Sequence, residues 1–198
     1  MKEITRFRHA ACLFAAAFLL GAQALAAGPF VVFPQTRELI SPDRHSIIRN
    51  VDAEHPASDF VGTFHTLWLT DTATGRTRKI CDYVGIAAAA WSGNDYVLVT
   101  QYLSKKSSRA LVFPAHFDQD PIVLDITLLS RTAPDELREQ LEKNDHAFVE
   151  VARFENKILS VRVWGYGRQS PTGFRWNCDY ATEQGTIACI KASVGVIR

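Results

Sequence analysis

Three kinds of side chain in this sequence could do chemistry: cysteines, scattered histidines, and one close pair of carboxylates. The cysteines are the most informative. In CDYATEQGTIAC (178–189) the polar run Thr182-Glu183-Gln184-Gly185 reads as a four-residue hairpin loop. Ala181 then faces Thr186, Tyr180 faces Ile187, Asp179 faces Ala188, and Cys178 faces Cys189. Directly opposed residues on antiparallel strands lie about 4.5–5.5 Å apart, within the reach of a disulfide. Ten intervening residues do not match the CxxC spacing of a metal or redox pair. Cys81 offers an alternative pairing, since CDY occurs at both 81–83 and 178–180. Whichever cysteine is left over reads as a buried thiol.

The remaining candidates are weaker. His45, His55, His65, His116 and His146 fall at long, irregular spacings, so no local metal site is expected. Asp118 and Asp120 in FDQDP could perform acid–base work or hold a cation, but they sit where a turn is expected. Cys81 beside a histidine could act as a thiol nucleophile, yet it ends an apolar strand with nothing local to support it. The sequence contains no GxSxG, HExxH, P-loop, GxGxxG or EF-hand pattern. No cofactor, metal or catalytic set is expected.

The elements that must carry these residues begin after a leader. Lys2, Arg6 and Arg8 precede the apolar run ACLFAAAFLLG (11–21), and Ala24-Leu25-Ala26 is a small-x-small cleavage site. That order is a secretory signal peptide over 1–26, and the run is shorter than the ~20 residues needed to span a bilayer. Cleavage near Ala26 leaves 172 of the 198 residues as a single β-rich domain, 27–198. Three of 22 basic and one of 21 acidic residues leave with the leader, so the mature net charge is near −1. Nothing in that balance draws the protein to nucleic acid or an anionic membrane, and no stable membrane insertion is expected. The expected location is the periplasm or the exterior.

Most of the mature chain shows the period-2 pattern and β-branched enrichment of short strands. HTLWLTD (65–71) sets His65, Leu67 and Leu69 against Thr66, Trp68 and Thr70. KILSVRVWGY (157–166) puts Leu159, Val161 and Val163 on one face and Ser160, Arg162 and Trp164 on the other. PIVLDIT (121–127) reads as a further strand. The strands recur in a larger unit. LISPDRHSIIRNV (39–51), AWSGNDYVLVT (90–100) and RFENKILSVRV (153–163) are each strand, tight turn, strand, and each is followed by a second hairpin. The expected fold is all-β: three four-stranded antiparallel meanders with one short helix inserted. That helix is TAPDELREQLEKND (132–145), capped by Thr132, with Leu137 and Leu141 as its apolar stripe.

SPDRHSI, AWSGNDYVLV and LWLTDTATGRTRKI together resemble the repeats of TolB-type and WD40-like β-propellers over roughly residues 39–127. The likeness lies in turn chemistry. Arg44 stands where the family's turn glycine is usual, and Gly93-Asn94 replaces Pro-Asp in the second copy. The resemblance implies propeller-blade-like units. Three are fewer than the four to eight that close a propeller, which leaves an open or partial propeller, a β-sandwich, or a part that joins another chain. It carries no functional residue with it.

The loops between second and third strands are polar in all three copies. The first (51–64) is long and acidic, with Asp52, Glu54 and Asp59; the second (104–109) is basic, with Lys105, Lys106 and Arg109. The third (165–173) carries Tyr166, Arg168 and Gln169. Equivalent loops of stacked meanders emerge on one side, so these residues form a candidate partner-binding edge. The leading expectation is an exported, non-catalytic binding protein whose partner is another protein. It would be an inhibitor or immunity-type protein against a toxin or envelope hydrolase, or an accessory subunit of an envelope complex. The alternative is a secreted hydrolase with a site assembled from dispersed His, Asp and Cys residues. A structural module that supplies sheets to a composite propeller is the third.

Overall fold

The computed structural model describes residues 28–52, 64–168 and 170–192. The expected signal peptide therefore lies outside the described residues. The chain is mostly β, in three antiparallel sheets that do not close into a barrel. The first sheet is β2 (Glu38–Ile40), β3 (Ser46–Asp52), β4 (Phe64–Asp71) and β5 (Thr77–Val84), paired in that order. The second is β6 (Ala87–Ser92), β7 (Tyr96–Tyr102), β8 (Ser108–Pro114) and β9 (Ile122–Leu124), and the third is β10 (His146–Glu155), β11 (Ile158–Gly167), β12 (Ser170–Ala181) and β13 (Thr186–Lys191). Each is a meander, because short polar turns can join only antiparallel neighbours.

Two expectations need correction. The middle meander carries a fifth strand beyond the four expected. β1 (Val31–Phe33) pairs with β6 as a fifth strand of the middle sheet, and Phe33 is fully buried. The described residues also form two helices where one was expected. PIVLDIT turns helical after Leu124, because the Asp125 carboxylate accepts the Leu128 N–H at 2.9 Å and caps α1 (Ile126–Thr132). Thr132 is thus the last residue of α1, with its hydroxyl donating to the Leu128 carbonyl, and it caps nothing. α2 (Asp135–Lys143) starts instead after Pro134 and buries Leu137 and Leu141 as expected. It lies against β12, where the Trp176 indole donates to Gln140 at 2.9 Å.

The sheets stack through two cores that share the middle sheet. On one side Val97, Val99, Leu111 and Phe113 meet Ile48, Leu67 and Leu69 of the first sheet. On the other Leu98, Ala110 and Val112 meet Val149, Val161 and Val163 of the third, with the helices alongside. Burial on both faces is why AAAAW, YVLVT and ALVF read as near-continuous apolar runs, while the outer sheets alternate.

Turn contacts show that the copies stack in parallel. In the first turn Ser41 donates to Asp43 at 2.6 Å, and Arg44 takes the left-handed φ of 64° that a glycine would favour. The Asp43 N–H reaches Asn94 of the second turn at 3.2 Å, and Ser92 bonds the Phe154 carbonyl beside the third. Strand-to-loop polarity therefore agrees in all three, and in each sheet the end of the second strand and the start of the third lie at the opposite end.

Candidate functional site

The disulfide is Cys178–Cys189, in the register read from the sequence, with Ala181 opposite Thr186 and Asp179 opposite Ala188. Cys81 is the free thiol among the described residues, buried in the first core. Burial pushes its pKa up to about 12, so it stays protonated and is not a ready nucleophile.

The candidate hydrolase residues do not meet. His65 is buried, with Nδ1 2.7 Å from Asp52 and its ring stacked on Tyr83 at 5.0 Å. His116 and Asp118 share a different, polar groove with Asp71 and Arg76, at the other end of the strands. Asp118 and Asp120 are exposed in the β8–β9 turn. Among the described residues no three His, Cys, Asp or Glu side chains could hold a metal together. None of Trp91, Trp176 and Cys178 reaches solvent appreciably.

At the loop end a chain of contacts ties the first sheet to the middle one. Thr66 donates to Asp82 at 2.8 Å, the Asp82 carbonyl accepts from Gln101, and Gln101 accepts from Arg109 at 2.6 Å. Arg109 is half-buried and engaged in this chain, so its guanidinium is not free in a solvent loop. Next to it, Tyr102 donates to Glu150 at 3.0 Å, and Arg162 lies 3.7 Å from the same carboxylate. Burial, with Glu150 adding to it, pushes the Tyr102 phenol up to about 12.

Of the expected edge residues, Asp52, Lys105, Lys106, Tyr166 and Arg168 are exposed at this end. Glu54, Asp59 and Gln169 lie outside the described residues. The second loop is joined directly to the start of β10, because the Ala147 N–H donates to the Lys106 carbonyl at 3.0 Å.

Beyond that joint the outer face of the third sheet carries four near-parallel rings. His146 stacks on Tyr166 at 4.4 Å and Phe148 on Trp164 at 4.3 Å, while Trp164 and Tyr166 are 6.4 Å apart along β11. Tyr166 is 43% exposed and Trp164 half-buried. They line an open groove of about 430 Å³ with Glu150, Arg162, Pro171 and Arg175.

A bulge shapes this groove. The β11–β12 register slips between Gly165 and Gly167, beside the Pro171–Gly173 segment that lines the groove. Gly165 is obligatory in the floor: a Cβ there would overlap the His146 carbonyl and lie 2.7 Å from the Phe174 ring. The Arg162–Glu150 pair is more than half exposed on the arginine side. At about 0–1 kcal/mol it is weak enough to exchange for another carboxylate.

Arg162, Arg175, Glu150 and Pro171 were not among the expected site residues. The signal for Arg162 was present in the alternation of Ser160, Arg162, Trp164 and Tyr166 on one face of β11. Arg175 and Glu150 join only through strand register, with Arg175 opposite Trp164 and Glu150 opposite Arg162.

Comparison with known protein families, curated proteins and solved structures finds no match to this chain. No helix among the described residues is long and apolar enough to cross a membrane.

Proposed function

We propose that this chain is an exported, non-catalytic protein-binding module whose partner docks on the loop end of the sheet stack. One observation carries the reading. Tyr166 and Trp164 stand open on a sheet face beside Arg162 and Arg175, next to the exposed Lys105–Lys106 turn. Aromatic and arginine side chains grouped around a shallow groove are the composition of protein–protein hot spots.

Export rests on the order of residues 1–26, and the Cys178–Cys189 bond fits an oxidising compartment such as the periplasm. The hydrolase alternative finds less support, because Cys81 is held protonated and His65 is paired with Asp52 in a separate place from His116 and Asp118. In this proposal the resemblance to TolB-type and WD40-like repeats stands for a short stack of meanders, of four, five and four strands, that offers one end to a partner. An inhibitor or immunity-type protein and an accessory subunit of an envelope complex both use such an end.

The test is affinity capture from envelope extract by the tagged mature chain at physiological salt, after mild cross-linking. A partner held by the wild type and lost with Tyr166→Ala plus Lys105→Ala and Lys106→Ala supports the module. A wild type that captures nothing beyond a mock control, or a partner indifferent to these changes, removes it.

A further inference from the structure

We infer that the groove beside Trp164 and Tyr166 takes an extended acidic segment of the partner protein. Its carboxylates would sit on Arg162 and Arg175, and an apolar or aromatic side chain would lie against the rings. The inference rests on the binding-module reading above and names the chemistry of what that surface recognises.

Charge carries the argument. The groove holds two guanidiniums against one carboxylate, and Glu150 is already shared between Tyr102 and Arg162. Arg175 makes no ion pair with any described residue, and neither do Lys105, Lys106 and Arg168 at the loop end. Elsewhere on this sheet the acids are occupied: Asp179 accepts from Ser160 at 2.6 Å, and Glu183 pairs with Lys157. A local excess of positive charge therefore stands on a chain of nearly balanced charge. Guanidiniums are weakly hydrated and match carboxylates in a planar fork, so an acidic occupant gains most here.

Shape adds to this. The groove is partly open to solvent, and its volume of about 430 Å³ lies within the range of about 300–1,000 Å³ seen for ligand pockets. Gly165 and Gly173, both in its lining, let the two backbones approach closely. A neutral glycan would use the rings and leave both guanidiniums idle. An acidic polysaccharide would use the cations, and it is the competing occupant.

The experiment uses the mature, oxidised chain and fluorescence anisotropy of three labelled peptides. One alternates Asp, Glu and Tyr; one replaces the acids with Asn and Gln; one alternates Lys and Tyr. Oligogalacturonate serves as competitor. Binding of the acidic peptide alone is expected, weakening with salt and about tenfold or more in Arg162→Gln plus Arg175→Gln, and likewise in Tyr166→Ala. Arg76→Gln, in the other groove, leaves it unchanged. Thermal melts establish that each variant is folded, which the exposure of all three positions favours.

No binding of the acidic peptide, equal binding of the amide peptide, indifference to the arginine changes, or preference for oligogalacturonate would each overturn the inference. A natural partner captured equally by the wild type and the double arginine variant removes this inference and leaves the module reading standing. Failure to capture any partner removes the module reading itself.

Discussion

Cys81 shows how burial sets chemistry at a single residue. Its sulfur packs in the first core, and desolvation lifts the thiol from 9.0 to about 12. The mature chain should show no fast reaction with a thiol reagent when native, and one reactive thiol per chain once denatured without reductant. Three would break the disulfide assignment. The same shift has a pH consequence. A pKa raised on folding contributes stability that is complete below the unfolded value and is lost as pH rises through the folded one. Tyr102, lifted from 10.0 to about 12, acts in the same direction. The urea midpoint should therefore fall between about pH 9 and pH 12. Cys81→Ala should flatten the lower part of that fall and leave the Tyr102 part. An identical profile in the variant would mean that the thiol is not desolvated.

Among the elements, the β12–β13 hairpin and the β11 bulge make separate contributions. β13 is an edge strand with exposed residues, Ile190 being 70% exposed, so little apolar burial holds it. The disulfide constrains a short loop, and its loss through Cys178→Ala plus Cys189→Ala should cost about 2–3 kcal/mol by urea denaturation. A change near zero would mean that pairing alone secures the hairpin. The bulge is held by a backbone approach that no side chain fits. Gly165→Ala should destabilise by about 1–3 kcal/mol and disturb the ring stack above it, read by thermal melting and near-ultraviolet circular dichroism. Unaltered spectra would show that the floor can give way.

For the whole molecule, the shared middle sheet decides cooperativity. Leu98 faces the second core and Leu111 the first, and both are buried. Leu98→Ala and Leu111→Ala should each cost about 2–5 kcal/mol, and each should shift a single unfolding transition rather than split it. Two transitions with only one of them moved would show that the sheets unfold independently. A polar layer supports the coupled view. Ser108 exchanges hydrogen bonds with Val149, and Thr100 accepts from Val151, tying the middle sheet to the third.

Much of this was legible in the chain itself. Period-2 alternation located the strands, turn residues located the hairpins, and loop length set the Cys178–Cys189 register, because these depend on neighbours a few positions apart. Leu159, Val161 and Val163 are buried as that alternation requires. Local pattern also misled: β-branched PIVLDIT continues as α1, since one carboxylate cap outweighs weak strand propensity where no partner strand follows. The place of β1 against β6, the engagement of Arg109, and the meeting of Arg175 and Glu150 beside Trp164 belong to tertiary structure alone. They bring together residues from separate strands, and cross-strand register and sheet stacking are settled by burial summed over the whole chain, which no short stretch of sequence contains.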